Sequence, residues 1–113
     1  MKKVAWCLWL VLAIMGFHSA KAEEVITGNS LYRACNEKIS LEICHSWILG
    51  FMQGLQWGAN GGGLVCVPDN VTYAQGGLVI QKYLRDHPEH LHLPASGIAY
   101  GALSQAFPCP KSK

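Results

Sequence analysis

The chain has 113 residues, of which half are hydrophobic and only 14% charged, with a formal net charge of +2. That length supports one small domain. Three of its nine basic residues, Lys2, Lys3 and Lys21, crowd into the N-terminus, so the remainder is close to −1 and has no basic stripe, which excludes nucleic acid as a partner.

Residues 1–22 read as a cleaved signal peptide. Lys2 and Lys3 precede an apolar run from Val4 to Phe17, and Ala20-Lys21-Ala22 supplies the small-residue cleavage site. The run is shorter than the ~20 residues that a membrane-spanning helix needs, so no membrane anchor is expected after cleavage. The mature domain is then 23–113, in an oxidising compartment. Cleavage removes Cys7 and leaves Cys35, Cys44, Cys66 and Cys109. An even number of cysteines in a short exported chain reads as two disulfides. A zinc site is the competing reading, but no C-x2-C pair is present.

The first helix is expected over about Gly28 to Lys38, with Thr27 as N-cap. Leu31 and Cys35 share one of its faces. A second helix is expected from Leu41 to about Ala59, with Ser40 as N-cap and Glu42 favourably placed in its first turn. Its wheel groups Gly50, Ile43, Gly54, Trp47, Gly58, Phe51, Cys44, Leu55 and Ile48 on one arc. His45, Gln56, Gln53 and Ser46 lie opposite, with Leu49 a misfit among them. Glycines four residues apart form a helix-dimerisation face in lipid, but that polar face argues against a membrane helix. The arc is therefore expected to be buried, with the Gly50/Gly54/Gly58 notch admitting a neighbouring helix.

Gly61-Gly62-Gly63 ends this helix, and "LVCVPDNV" follows as an extended segment because Pro68 biases Val67 away from helix. The third helix opens on a capping box, Thr72 with Gln75. Val79, Tyr83, Ile80, Tyr73 and Leu84 form its apolar side, and Leu78 stands alone on the wet side. Pro88 forces a stop by His87. Pro94 suits the first position of a fourth helix, whose stripe of Ile98, Ala102, Ala95, Ala106, Ala99 and Leu103 is small enough to lie on the glycine notch. The fold class is all-α, a four-helix, disulfide-stapled bundle. In that arrangement Cys35 meets Cys44 across a short connector, and Cys66 meets Cys109 beyond the ends of two adjacent helices.

Chemistry is sparse. Oxidised cysteines supply no thiolate, and no Ser/His/Asp set or paired acids are spaced for catalysis, so no enzyme, catalytic residue or cofactor is expected. His87, His90 and His92 with Glu89 are the best metal-like cluster. They read as a solvated loop in which histidines cap helix carbonyls, and no metal is assigned.

The assembled segments "CNEKISLEICHSWILGFMQGL" and "CVPDNVTYAQGGLVIQKYLRDHPEHLHLPASGIAYGALSQAFPCP" resemble the Tai-type immunity proteins, also called resistance-associated proteins. The resemblance spans Gly28 to Cys109. It implies a small helical bundle, often a homodimer, in the periplasm of a Gram-negative bacterium. Its implied partner is a peptidoglycan amidase delivered by a type VI secretion system, whose cysteine–histidine active site it blocks with a protruding segment. Two projections are candidates for partner binding: Trp57 to Leu64, with Trp57 and Asn60, and His87 to His92, with Glu89 and His90. The glycine-rich "GANGGGL" is an expensive plug, because a flexible segment loses more entropy on ordering. Leu78 beside Arg85 is a candidate dimer patch. The competing readings are a small periplasmic acid-stress chaperone, whose histidines would sense pH, and a family member that binds another envelope partner.

Overall fold

A computed structural model describes residues 25–58 and 63–111. The expected signal peptide and Asn60 lie outside the described residues. Four helices follow in order: α1 (Gly28–Asn36), α2 (Leu41–Trp57), α3 (Tyr73–Asp86) and α4 (Ala95–Ala106). Short 3-10 turns at Lys38–Ser40 and Pro88–His90 introduce α2 and follow α3. No strand occurs among the described residues; two isolated bridges, Thr27 with Pro94 and Val65 with Pro108, tie loops together. None of the described helices is long and apolar enough to cross a membrane.

The helix boundaries follow from local chemistry. Thr27 caps α1, its hydroxyl accepting from the Ser30 N–H at 3.3 Å. The capping box forms at α3: Thr72 Oγ1 accepts from the Gln75 N–H at 3.2 Å, and Gln75 Oε1 accepts from the Thr72 N–H at 2.8 Å. The helix stops at His87, whose N–H bonds back to Tyr83 O before Pro88 ends the ladder. Ser40 precedes α2 but makes no capping bond; its hydroxyl donates to Glu37 O instead. Pro94 is the cap of α4 rather than its first helical residue.

Helix α3 packs against all three others, and α4 lies on α3 and α1. The core comprises Leu31 and Cys35 from α1, Cys44, Ile48 and Met52 from α2, Ile80 and Leu84 from α3, and Ala95, Ile98, Ala99, Ala102 and Leu103 from α4, with Val65 from the long connector. Each large apolar side chain so buried contributes roughly 1.5–3 kcal/mol. Both cystines form: Cys35–Cys44 joins the end of α1 to the first turn of α2, and Cys66–Cys109 joins the connector to the segment after α4. Beside the second, the Cys66 N–H donates to Phe107 O at 2.8 Å. The chain entry is zipped in the same way. Gly28 N–H donates to Leu93 O at 2.9 Å, Asn29 N–H to Leu91 O at 2.7 Å, and Ala95 N–H to Ile26 O at 2.8 Å.

The glycine notch is not where the helices meet. A Cβ added at Gly50 or Gly54 would meet nothing within 4 Å, and Ile43, assigned to the same arc, is 66% exposed. The buried face of α2 is turned by roughly 80° from the expected arc, taking 100° per residue, and centres on Cys44, Ile48 and Met52. Glycine has no side chain to bury, so burial selects the edge that carries them, and Cys44 must face Cys35 to form its disulfide. Trp47 and Phe51 stay at the border, half-buried and stacked with ring centroids 5.3 Å apart. The close approach uses other glycines. A Cβ on Gly76 of α3 would run into Met52 Sδ and Cε, and one on Gly77 would lie 3.3 Å from Ile48 Cγ2. The expected seat of α4 on α2 is corrected accordingly: α4 rests on α3. Tyr73 and Ala106, both assigned to buried stripes, are exposed, because each sits at an end of its helix.

The cystines predict unequal losses. Their sequence separations are 9 and 43 residues, and chain entropy assigns them about 2.6 and about 4 kcal/mol respectively. Urea unfolding followed by circular dichroism should therefore show Cys66→Ala/Cys109→Ala to be the more destabilised double variant. The glycines predict opposite signs. Gly54→Ala, with open space around it, should stabilise by up to ~1 kcal/mol. Gly28→Ala should destabilise by about 1–3 kcal/mol, because its Cβ would lie 3.0 Å from the Leu91 backbone, which cannot rotate away.

Candidate functional site

The close contact of α2 with α3 leaves a furrow on the outside of that pair. From α2 it is walled by His45, Ile48 and Leu49, and from α3 by Tyr73, Ala74, Gly77, Leu78 and Gln81. Its volume is about 380 Å³, and its lining is mostly apolar. Leu78 is 62% exposed and Leu49 40% exposed. The groove exists because Gly77 provides a floor without a side chain, so that Ile48 is reached between the two rims. At one end Tyr73 Oη donates to Gln56 Oε1 at 2.8 Å, bridging the helices and fixing the phenol as a wall. His45 and Gln81 provide a polar rim at the sides. An apolar strip with rigid walls and a polar edge is the make-up of a protein-docking surface.

The wheel of each helix already marks one of these leucines as out of place, Leu49 on α2 and Leu78 on α3. Only the packing brings the two anomalies into one furrow. His45, Tyr73 and Gln81 join them without any signal in the sequence that groups them.

The candidate partner residues fall elsewhere. Trp57 is the last residue of α2. Glu89 and His90 lie in the 3-10 turn after α3. There His90 is half-buried and its Nδ1 lies 3.1 Å from Tyr83 Oη, while the exposed Glu89 accepts from His87 Nδ1 at 2.9 Å. That hydrogen bond from His87 holds the Glu89 carboxyl below its usual range. The neighbouring Asp86 carboxyl is also lowered, chiefly by its hydrogen bond with Lys82. Both carboxylates are therefore ionised at neutral pH. The Tyr83 and His87 rings meet at a tilt of 33°, and the His87 and His90 rings stack nearly parallel with centroids 5.3 Å apart. His87 and His90 do not cap α3 through their side chains; the His87 backbone N–H does so. His92 is exposed and does not join the group.

Fold and surface together define a small all-α bundle, stapled by two disulfides, with an exposed apolar furrow fit for a protein partner. A family model supplies the identity that the geometry leaves open. The Rap1a immunity proteins match residues 27–109, and the chain belongs to that family. As an immunity protein it acts on a secreted effector, which is its protein partner. No curated protein and no solved structure matches the chain.

Proposed function

We propose that this chain is a periplasmic immunity protein that binds a peptidoglycan amidase delivered by type VI secretion and blocks its active site, with the α2–α3 furrow as the docking surface. The family match over 27–109 carries the reading. Its refinement to an amidase and to the periplasm rests on the sequence resemblance and on the signal-peptide pattern at 1–22. Two cystines in so short a chain suit an oxidising compartment, where they persist.

Inhibition by occlusion asks little chemistry of the inhibitor. It needs a rigid body, apolar anchors that expel water, and enough area to offset the entropy of association. The furrow meets the first two demands. Leu49 and Leu78 present apolar surface to a partner, Ile48 lies at the base, and the Tyr73–Gln56 bridge keeps the walls from closing. Protein interfaces concentrate their binding energy in a few such central residues, ringed by polar groups. His45 and Gln81 occupy the ring here.

Two experiments test the reading. Co-expression of the leader-bearing chain with a cysteine–histidine peptidoglycan amidase encoded beside it should prevent lysis when the amidase is directed to the periplasm. Unabated lysis together with no measurable binding contradicts the proposal. In a binding titration with the same amidase, Leu78→Asp should weaken affinity at least tenfold, about 1.4 kcal/mol. Its unfolding free energy should stay within about 0.5 kcal/mol of the parent, as expected for an exposed position. Unchanged affinity would move the interface away from the furrow.

A further inference from the structure

The 3-10 turn after α3 gathers three side chains whose donor atoms can share one cation. His87, Glu89 and His90 each offer a ligand atom, and these atoms lie within 4.8 Å of one another. The geometry points to a surface site for a divalent transition cation of the zinc class, bound by His87, Glu89 and His90, with its fourth position open to water.

The backbone accounts for the convergence. His87 caps the 3-10 turn and His90 is its last residue, three positions on, with the fixed φ of Pro88 between them. The turn is closed by His90 N–H to His87 O at 3.0 Å, and Leu93 N–H to His90 O at 2.9 Å braces its far side. The two imidazoles consequently lie nearly parallel, 11° between planes. Glu89 reaches across both: its Oε1 is 2.9 Å from His87 Nδ1 and 3.9 Å from His90 Nε2, and a bound cation replaces the Nδ1 proton that His87 donates to Glu89 in the free protein. Ligands of tetrahedral zinc at about 2.0–2.1 Å from the metal lie roughly 3.3 Å from one another. The two observed separations bracket that value, and all three ligand atoms lie within 4.8 Å of one another, so rotation of the half-buried imidazoles together with Glu89 brings the set onto one cation.

Tyr83 completes the arrangement. A histidine that binds zinc usually places its second ring nitrogen against a fixed partner, which sets ring orientation and tautomer. His90 Nδ1 is 3.1 Å from Tyr83 Oη. With Nδ1–H donating to that oxygen, the Nε2 lone pair is left on the side of Glu89, 3.9 Å away. Tyr83 is itself anchored on α3 and packed against the core. Two imidazoles and one carboxylate suit borderline-soft ions such as zinc, whereas magnesium and calcium favour oxygen ligands. With three protein ligands the site is an open one, weaker than a closed four-ligand structural site.

The test is calorimetric titration of zinc chloride into the exported, fully oxidised protein without a histidine tag. One equivalent should bind saturably. His87→Ala and His90→Ala should each weaken binding at least tenfold, and Tyr83→Phe by about tenfold. His92→Ala should leave it unchanged. Circular dichroism of each variant separates loss of ligand from loss of fold, and zinc-induced shifts of the His87 and His90 ring resonances provide a second readout in the parent protein. No saturable heat, ring resonances that do not move, or an affinity indifferent to His87→Ala and His90→Ala would overturn the site.

Discussion

The exposed furrow depends on how closely α2 and α3 approach. Gly76 and Gly77 remove two side chains from the face of α3 that meets α2, and Met52 and Ile48 fill the space. A helix pair with bulkier residues at that crossing would stand further apart, since interaxial distance follows the side chains at the contact. The short distance has two consequences. It buries Ile48 and Met52 almost completely, and it sets Leu49 and Leu78 on facing rims of a furrow too narrow to close over them.

The cystines hold that crossing in place from both ends of the bundle. Cys35–Cys44 fixes the rotation of α2, because Cys44 is fully buried and has to point at α1. Cys66–Cys109 anchors the connector between α2 and α3 to the far end of the chain, where the Val65–Pro108 bridge and the Cys66–Phe107 hydrogen bond run alongside it. A domain this small gains only a few kcal/mol from its core alone. Crosslinks that restrict the unfolded chain therefore let it keep apolar residues on its surface for binding instead of burying them for stability. That trade is consistent with an immunity protein, whose work is to present a fixed surface to an effector.

Several helix boundaries were legible because they depend on neighbours in sequence, although the first helix ends at Asn36 and not at Lys38, and Pro94 caps α4 instead of opening it. Thr27, the Thr72–Gln75 pair and the His87-Pro88 stop each act within one turn, and the structure uses all of them. Disulfide pairing was legible from the order of the elements. The rotation of α2 was not. Its apolar and glycine residues cover a wide arc, and the wheel weighs a glycine like a side chain, although only side chains gain from burial. The glycines that do mediate contact, Gly76 and Gly77, carry no such signal in the period of α3. For the surface, Leu49 and Leu78 stood out singly as apolar residues among polar ones, but their meeting depends on tertiary packing. The stacking of His87 with His90 depends on the 3-10 geometry of the turn, where an irregular loop was expected.

The central claim is that the effector is captured by the α2–α3 furrow. Hydrogen–deuterium exchange of the protein, alone and saturated with its effector, tests it most directly. The account predicts slowed exchange concentrated in residues 45–49 and 73–81, with α4 unaffected. Protection confined to α1 and α4, with both furrow walls exchanging as in the free protein, would contradict it.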